Sequence, residues 1–215
     1  MECGSSWKKF MVKRFIFLLI VFIFSPLFSI SNAANDENFK AAIENLFRQE
    51  GGYVNDPQDK GGATKYGISL NFLKSLGKRG DINNDNVVNE NDIKIIDKNT
   101  AIEIYKKEFW DKYGFHRINN EIIAETLFDF SVNMGSKSAI KLIQKALNLH
   151  DSKQLSKENG VLDDQTIFLI NISNPLKLML FFRAVVSWHY IQITEKDSSQ
   201  KKFIYGWLKR VWSGV

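Results

Sequence analysis

The chain has 215 residues, of which 44% are hydrophobic and 25% charged, and its formal net charge is +5. This balance is typical of a folded globular protein and excludes wholesale disorder. Part of the positive charge lies in the first 33 residues. The remainder is only mildly basic, so its charge does not indicate nucleic acid as a partner, and it is compatible with other anionic polymers.

The N-terminal segment has the pattern of a secretion signal. Basic side chains precede an apolar run from Phe15 to Phe28, and Ser31-Asn32-Ala33 then offers small residues to a signal peptidase. The run is too short for a comfortable membrane span, which needs about 20 residues. We therefore predict cleavage after Ala33 and a periplasmic or secreted protein without a stable membrane span; a retained anchor is the alternative. The only cysteine, Cys3, precedes this cut, which excludes disulfides and thiol nucleophiles from the mature chain.

The first predicted helix of the mature chain leads to a glutamate. Phe39, Ile43, Leu46 and Phe47 recur at helical spacing. At about 100° per residue, Glu50 falls on the same apolar face. Burial there would raise the pKa of this carboxyl, as a general acid requires. A surface glutamate at a fraying helix end is the alternative, and position alone leaves both open.

A glycine-rich stretch from Glu50 to Ile68 follows this helix. Its Gly-Gly pairs and its proline break both helices and strands, so we predict a loop at the rim of an active site. A short helix from Ser69 to Leu76 comes next, and Ser69 is its predicted N-cap.

The polar loop from Asp81 to Asp92 has the spacing of an EF-hand-type calcium site. Oxygen-bearing side chains occupy loop positions 1, 3, 5, 9 and 12, which are Asp81, Asn83, Asp85, Asn89 and Asp92. Val87 at position 7 would add its backbone carbonyl. Asn86 replaces the usual glycine and Asp92 is shorter than the usual glutamate. The pattern favours structural calcium, and the alternative is a polar turn without an ion.

The remaining elements are also predicted to be helices. Thr100-Ala-Ile-Glu103 has a capping-box pattern and opens a helix through Trp110, which we expect in the core. Further helices are predicted over residues 122–134, 138–149, 174–193 and 203–211, the third with Asn174-Pro175 at its start. Thr126, Asp129 and Asn133 form a polar stripe that is either a solvent face or the lining of a cleft. The fold class is therefore mainly α.

The chain lacks the residue patterns that most catalytic mechanisms require. The three histidines are far apart, and neither a Gly-x-Ser-x-Gly elbow nor a phosphate-binding loop is present. Carboxylates remain: Glu50, with Asp56, Asp59 and Asp129 as possible partners. Glycoside hydrolysis is the main reaction that carboxylates perform without a cofactor.

Two motifs extend this interpretation to a family. Glu50-Gly-Gly-Tyr-Val-Asn-Asp-Pro57 and the following Asp59-x-Gly-Gly-x-Thr64-x-Tyr66-Gly-Ile68 closely resemble the motif of glycoside hydrolase family 108, the bacterial and phage N-acetylmuramidases. The resemblance continues through Glu108-Phe-Trp110 and Phe128–Gly135. Residues 136–212 resemble the predicted peptidoglycan-binding domain that usually follows. They depart from its pattern at residues 159–166, where a Gly-Pro pair is missing.

The resemblance implies a lysozyme-like catalytic domain over residues 34–135, with a calcium-loop-like insertion at 81–92, packed with a helical peptidoglycan-binding-type domain over 136–215. It implies that Glu50 protonates the glycosidic oxygen between N-acetylmuramic acid and N-acetylglucosamine. Asp59 would hold the loop or orient water, unless it only caps a turn. The residues expected to line the sugar groove are Thr64, Tyr66, Asp129 and Asn133.

The resemblance also has implications for the substrate, the cofactors and the oligomeric state. It implies peptidoglycan as substrate, no catalytic cofactor and a monomer. The same fold admits two alternatives: a lytic transglycosylase, and a non-catalytic protein that binds the wall or assists secretion.

Overall fold

Helices form most of the computed structural model, which describes residues 37–48, 62–150 and 156–213. Residues 37–48 are helical throughout and are called α1. The later helices are α2 (Leu70–Ser75), α3 (Glu90–Ile95), α4 (Lys98–Tyr105), α5 (Glu121–Met134), α6 (Ser136–His150), α7 (Asp164–Ile172), α8 (Pro175–Lys196) and α9 (Ile204–Trp212). The predicted mainly α fold is confirmed.

A small hairpin lies inside the stretch that we predicted to exclude strands. Strands β1 (Thr64–Lys65) and β2 (Ile68–Ser69) pair antiparallel, with Thr64 opposite Ser69. Tyr66 and Gly67 form the turn with φ of 52° and 76°. Two consecutive positive φ angles define the tight turn that suits a two-residue hairpin. The prediction was wrong at this point because two-residue strands are too short to show alternation.

The helix starts test the predicted caps. The Ser69 hydroxyl accepts the Phe72 amide of α2, and Asn174 caps α8 with Pro175 in the first turn, as predicted. The predicted cap at Thr100 is wrong. Helix α4 begins at Lys98, and the Asp97 side chain accepts the Thr100 amide at 2.7 Å. Asp97 is a stronger competitor for the cap because its carboxylate is charged.

The core of the first half is aromatic. The Phe128 ring on α5 lies 5.7 Å from Trp110 and 6.1 Å from Tyr105, centroid to centroid, with its plane nearly perpendicular to both. Phe39 on α1 and Phe115 complete this cluster. Trp110 is 1% exposed, so the predicted core position is confirmed. These edge-to-face contacts fix α1 against α5.

The second half shares this core. Helix α6 packs on both α5 and α8, and α9 packs on α8. The buried apolar side chains of both halves form one continuous cluster. The predicted domain boundary falls at Gly135, between α5 and α6, and stays a prediction. Within the described ranges, no single helix is long and apolar enough to cross a bilayer. Only α7 and α8 together, with a 119° bend between them, reach that length and composition.

Candidate active site

The hairpin places Tyr66 beside the C-terminal end of described α1, and Thr64 lies in the strand that precedes it. The Tyr66 ring lies 5.6 Å from the Phe47 ring of α1, centroid to centroid. The Tyr66 backbone carbonyl accepts a hydrogen bond from the Tyr105 hydroxyl, with 3.0 Å between the two oxygens. The Thr64 hydroxyl donates to the Gly62 carbonyl at 3.2 Å. The turn is therefore held from both sides, by α1 and by α4.

An open groove lies at this end of α1. Its lining comprises Glu44, Phe47, Arg48 and Lys98, and its volume is about 310 Å³. The Lys98 ammonium lies 5.7 Å from the centroid of the Phe47 ring. A groove of this size suits a small ligand or one unit of a polymer. We call it the α1 groove.

Glu50 and Asp59 lie outside the described residues. Glu50 follows the last described residue of α1, Arg48, by two positions in the sequence, and Asp59 precedes the described hairpin. The predicted roles of Glu50 and Asp59 therefore stay predictions.

The predicted polar stripe of α5 meets other helices. Asp129 accepts two hydrogen bonds from Arg210 of α9, from Nε at 2.9 Å and from Nη2 at 2.6 Å. Asn133 accepts the Tyr190 hydroxyl of α8 at 2.6 Å. Both side chains thus tie α5 to the second half of the chain. Their predicted contact with sugar stays untested beside this structural role.

A second carboxylate on this face was not predicted. Glu125 of α5 accepts a short hydrogen bond from the Asn45 side chain of α1. Burial raises the pKa of Glu125, although the Asn45 hydrogen bond acts in the opposite direction. Asp129, one turn away, raises it further. The sequence offered the spacing of Glu125 and Asp129 as a signal, but not the partner on α1.

Glu125 and Asp129 line a pocket between α1, α5 and α9. Asn45, Arg183 and Arg210 contribute the other charged or amide side chains. Its interior is about 70 Å³, which holds a few water molecules. In the described parts of the chain, this pocket is therefore sized for water and the α1 groove for a larger ligand.

The Asp81 loop is organised by its own carboxylates. Asp81 accepts the backbone amides of Asp85 and Asn86, and Asp85 accepts that of Val87. Asn86 has a φ of 69°, the left-handed conformation that glycine usually supplies at this position. Asn86 therefore adopts the left-handed conformation for which the spacing pattern expects a glycine.

Asp92 closes this loop as a buried cap. Its carboxylate accepts the amides of Ile82, Asn83 and Asn89, and Asn89 is the N-cap of α3. Burial would raise the pKa of Asp92, but these amides together hold it below its usual value. Because the pKa of Asp92 is lower in the folded state than in the unfolded state, its ionised carboxylate stabilises the fold at pH values above the unfolded-state pKa. This stabilisation is lost as the pH falls through the folded-state pKa.

The loop residues fit calcium only in part. Each carboxylate oxygen of Asp81 and Asp85 accepts one hydrogen bond and keeps a lone pair, and calcium prefers such oxygen donors. Asp92 Oδ1 already accepts the amides of both Ile82 and Asn83, so this oxygen is less available to an ion. Nowhere in residues 37–48, 62–150 or 156–213 do three His, Cys, Asp or Glu side chains gather closely enough to hold a metal by themselves. A calcium ion would therefore depend on Asn83 and on the Val87 carbonyl as well. Calcium at this loop stays a prediction.

Glu108 is a further carboxylate that the sequence did not single out. It is 5% exposed and makes ion pairs with Arg79 and Lys112. The Arg79 contact joins the 3₁₀ segment Gly77–Gly80 to the π-helical segment Lys106–Asp111 that extends α4. Glu108 therefore ties the 3₁₀ segment that precedes the Asp81 loop to the extension of α4.

Comparison with known families accounts for the first half of the chain. Residues 43–135 match the family described as glycosyl hydrolase 108. These 93 of the 215 residues are similar to that family. The predicted resemblance is thereby confirmed for the region that holds the glycine-rich motif, the α1 groove and α5. The match ends where α6 begins, so the peptidoglycan-binding character predicted for residues 136–215 stays a prediction.

A solved structure shares the fold of both halves. It is described as the structure of Brucella abortus SagA and aligns with a TM-score of 0.60 and 22% sequence identity. The alignment covers 83% of this chain and 98% of that chain. At this identity the likeness shows the lysozyme-like fold. No curated protein matches the chain.

Proposed function

We propose that this protein is a peptidoglycan hydrolase that cleaves the bond between N-acetylmuramic acid and N-acetylglucosamine, with Glu50 as general acid. The observation that carries the proposal is the match to a glycoside hydrolase family over residues 43–135, which includes Glu50 and its motif. The α1 groove supports it, because a ligand-sized opening lies at the helix end that precedes Glu50 in the sequence.

The proposed mechanism uses the side chains of this chain alone. Glu50 donates a proton to the glycosidic oxygen as the bond to the muramic acid carbon breaks. Phe47 and Tyr66, whose rings meet beside the α1 groove, offer apolar surface to a sugar ring. Asp59 holds the loop or orients the attacking water. Glu125 is not assigned to the reaction, since it binds Asn45 and lines the small water-sized pocket and not the α1 groove.

The test is the substitution Glu50→Gln. We expect loss of wall lysis, by about 100-fold or more, with unchanged secondary structure and melting temperature. Glu37→Gln, which alters an exposed carboxylate at the start of described α1, is the matched control and should retain activity. A folded Glu50→Gln protein that still clears peptidoglycan would contradict the proposal.

Product analysis separates the hydrolase from its alternatives. Mass spectrometry of digested peptidoglycan should show free reducing ends on muramic acid. Ends in the 1,6-anhydro form would identify a lytic transglycosylase instead. Retention on insoluble peptidoglycan without any released product would favour the non-catalytic, wall-binding or secretion-assisting function.

We propose further that the Asp81 loop binds calcium as a stabilising ion. The support is a chain of oxygen ligands at EF-hand spacing and the left-handed Asn86. Calcium added to chelated protein should raise the melting temperature, and Asp81→Asn should reduce this increase. A melting temperature that does not respond to calcium would leave the loop as a polar turn.

The remaining proposal concerns location. The N-terminal pattern supports export to the periplasm or the medium, where the substrate lies. N-terminal sequencing of the exported protein should find a start at Ala34. A protein that keeps residues 1–33 and stays in the membrane fraction would instead support the retained anchor.

A further inference from the structure

Helix α9 packs one face against the core and exposes the opposite face to solvent. Val211 is 1% exposed, and the Trp207 ring stacks on Tyr190 of α8 at 4.9 Å between centroids. Arg210 on the same side binds Asp129. These contacts fix the orientation of α9, so its opposite side is a rigid surface.

That opposite side combines aromatic rings with lysines. Tyr205 is 79% and Trp212 43% exposed, and Lys209 is also exposed. At about 100° per residue these three positions fall within about 60° of one another around α9. Lys202, exposed in the preceding 3₁₀ segment Ser198–Phe203, precedes Tyr205 by one turn. We call these four residues the basic-aromatic face.

The charge of this region has one sign. Residues 198–213 contain no aspartate or glutamate, and because Arg210 is already paired with Asp129, the available positive charge comes from Lys201, Lys202 and Lys209. The preceding carboxylate, Asp197, is occupied in capping the 3₁₀ segment through the Ser199 amide at 3.0 Å. The region therefore attracts anions, and no carboxylate of its own sequence opposes that attraction.

We propose that the basic-aromatic face docks on an anionic phospholipid surface. Tyrosine and tryptophan rings concentrate at the level of lipid headgroups, since one end of each ring system is apolar and the other is polar. Lysines beside them keep their ammonium groups at the phosphates while their stems lie along the apolar boundary. Each lysine near an anionic leaflet contributes about a fivefold increase in binding. The docking would hold the exported protein at the membrane that adjoins the wall.

This surface is independent of the proposed catalytic site. It lies on α9, outside the matched segment 43–135, and none of its four residues lines the α1 groove. The Glu50→Gln variant should therefore dock as well as the unaltered protein, so failure of the two proposals can be told apart.

The test is co-sedimentation of the exported protein with vesicles. Vesicles of equal parts phosphatidylglycerol and phosphatidylcholine should bind the protein, with a blue shift of tryptophan fluorescence, and high salt should release it. Vesicles of phosphatidylcholine alone should bind it weakly. The double variant Lys202→Gln with Lys209→Gln should bind about 20-fold less, and Tyr205→Ser with Trp212→Ser should lose the blue shift.

The matched control is Lys78→Gln with Lys107→Gln. It removes the same charge at two other exposed lysines and should leave binding nearly unchanged. The proposal is overturned if the control and the Lys202/Lys209 variant bind equally well, or if anionic vesicles bind no better than neutral ones. It is also overturned if the basic-aromatic variants lose binding to insoluble peptidoglycan while vesicles bind none of the proteins, which would assign the face to the wall.

Discussion

At the scale of single residues, Glu125 makes the clearest prediction. Its pKa is raised mainly by burial, so the folded state holds its proton to a higher pH than the unfolded state does. Stability therefore falls as the pH rises from the unfolded-state pKa through the folded-state pKa. Glu125→Gln removes this loss and keeps an oxygen for the Asn45 side chain. We expect the variant to melt at a higher temperature than the unaltered protein at pH 7, and at a similar temperature at pH 4.

Melting curves across this pH range measure the effect. Glu103→Gln, an exposed carboxylate on α4, is the control and should change the melting temperature little at any pH. A Glu125→Gln protein that is less stable at pH 7 than at pH 4, relative to the unaltered chain, would mean that the carboxylate is stabilised by charge.

Whether the role of a single residue could be predicted depends on how far along the sequence its partner lies. Ser69 and Asn174 act on amides three positions ahead, so their capping roles were visible in the sequence. The left-handed Asn86 follows from the known tolerance of asparagine for that conformation. The Glu125–Asn45 contact joins residues 80 positions apart, and no local pattern encodes it.

At the scale of elements, two glycines should respond oppositely to alanine. Gly206 lies inside α9, and a Cβ there would meet nothing within 4 Å. Gly206→Ala should stabilise the protein by about 1 kcal/mol, because alanine loses less backbone freedom in a helix. Gly160 has a φ of 76°, and a Cβ there would lie 2.6 Å from the Lys137 carbonyl oxygen.

Gly160→Ala should therefore destabilise the protein by more than about 1 kcal/mol. Urea denaturation of both variants gives the two free energies of unfolding. Equal effects in the two variants would show that the turn at Gly160 relaxes more freely than its contacts indicate.

The sequence predicted long elements better than short ones. The apolar spacing of α1, α5, α6 and α8 repeats over several turns, and each of these helices was expected. Helix α7 was missed because its apolar run, Ile167–Ile170, is continuous and shows no helical period. Its N-cap is Asp163, which accepts a hydrogen bond from the Thr166 amide and lies where the family pattern has a Gly-Pro pair that is missing here.

At the scale of the whole molecule, the pair of Asp129 and Arg210 joins the two halves. The Arg210 side chain is 16% exposed and that of Asp129 is 18% exposed, so removal of one partner leaves the other charge poorly solvated. Asp129→Ala should destabilise the fold by about 3 kcal/mol. Arg210→Ala should cost a similar amount, and the double variant should cost much less than the sum.

Denaturant unfolding of the four proteins gives this coupling free energy. The same variants test whether Asp129 also binds sugar. A purely structural role predicts that Asp129→Ala protein, assayed well below its melting temperature, keeps its KM for soluble wall fragments. A raised KM in Asp129→Ala but not in Arg210→Ala would support the sugar contact predicted from the family resemblance.

The same pair has a consequence for the order of events during biosynthesis. Asp129 and Arg210 are 81 positions apart, and α9 is the last helix of the described chain. A ribosome must therefore synthesise the 81 residues that follow Asp129, through Arg210, before this contact can form. Contacts of such long sequence separation slow folding. For the export proposed above, such a delay suits a translocation channel that accepts only unfolded chains.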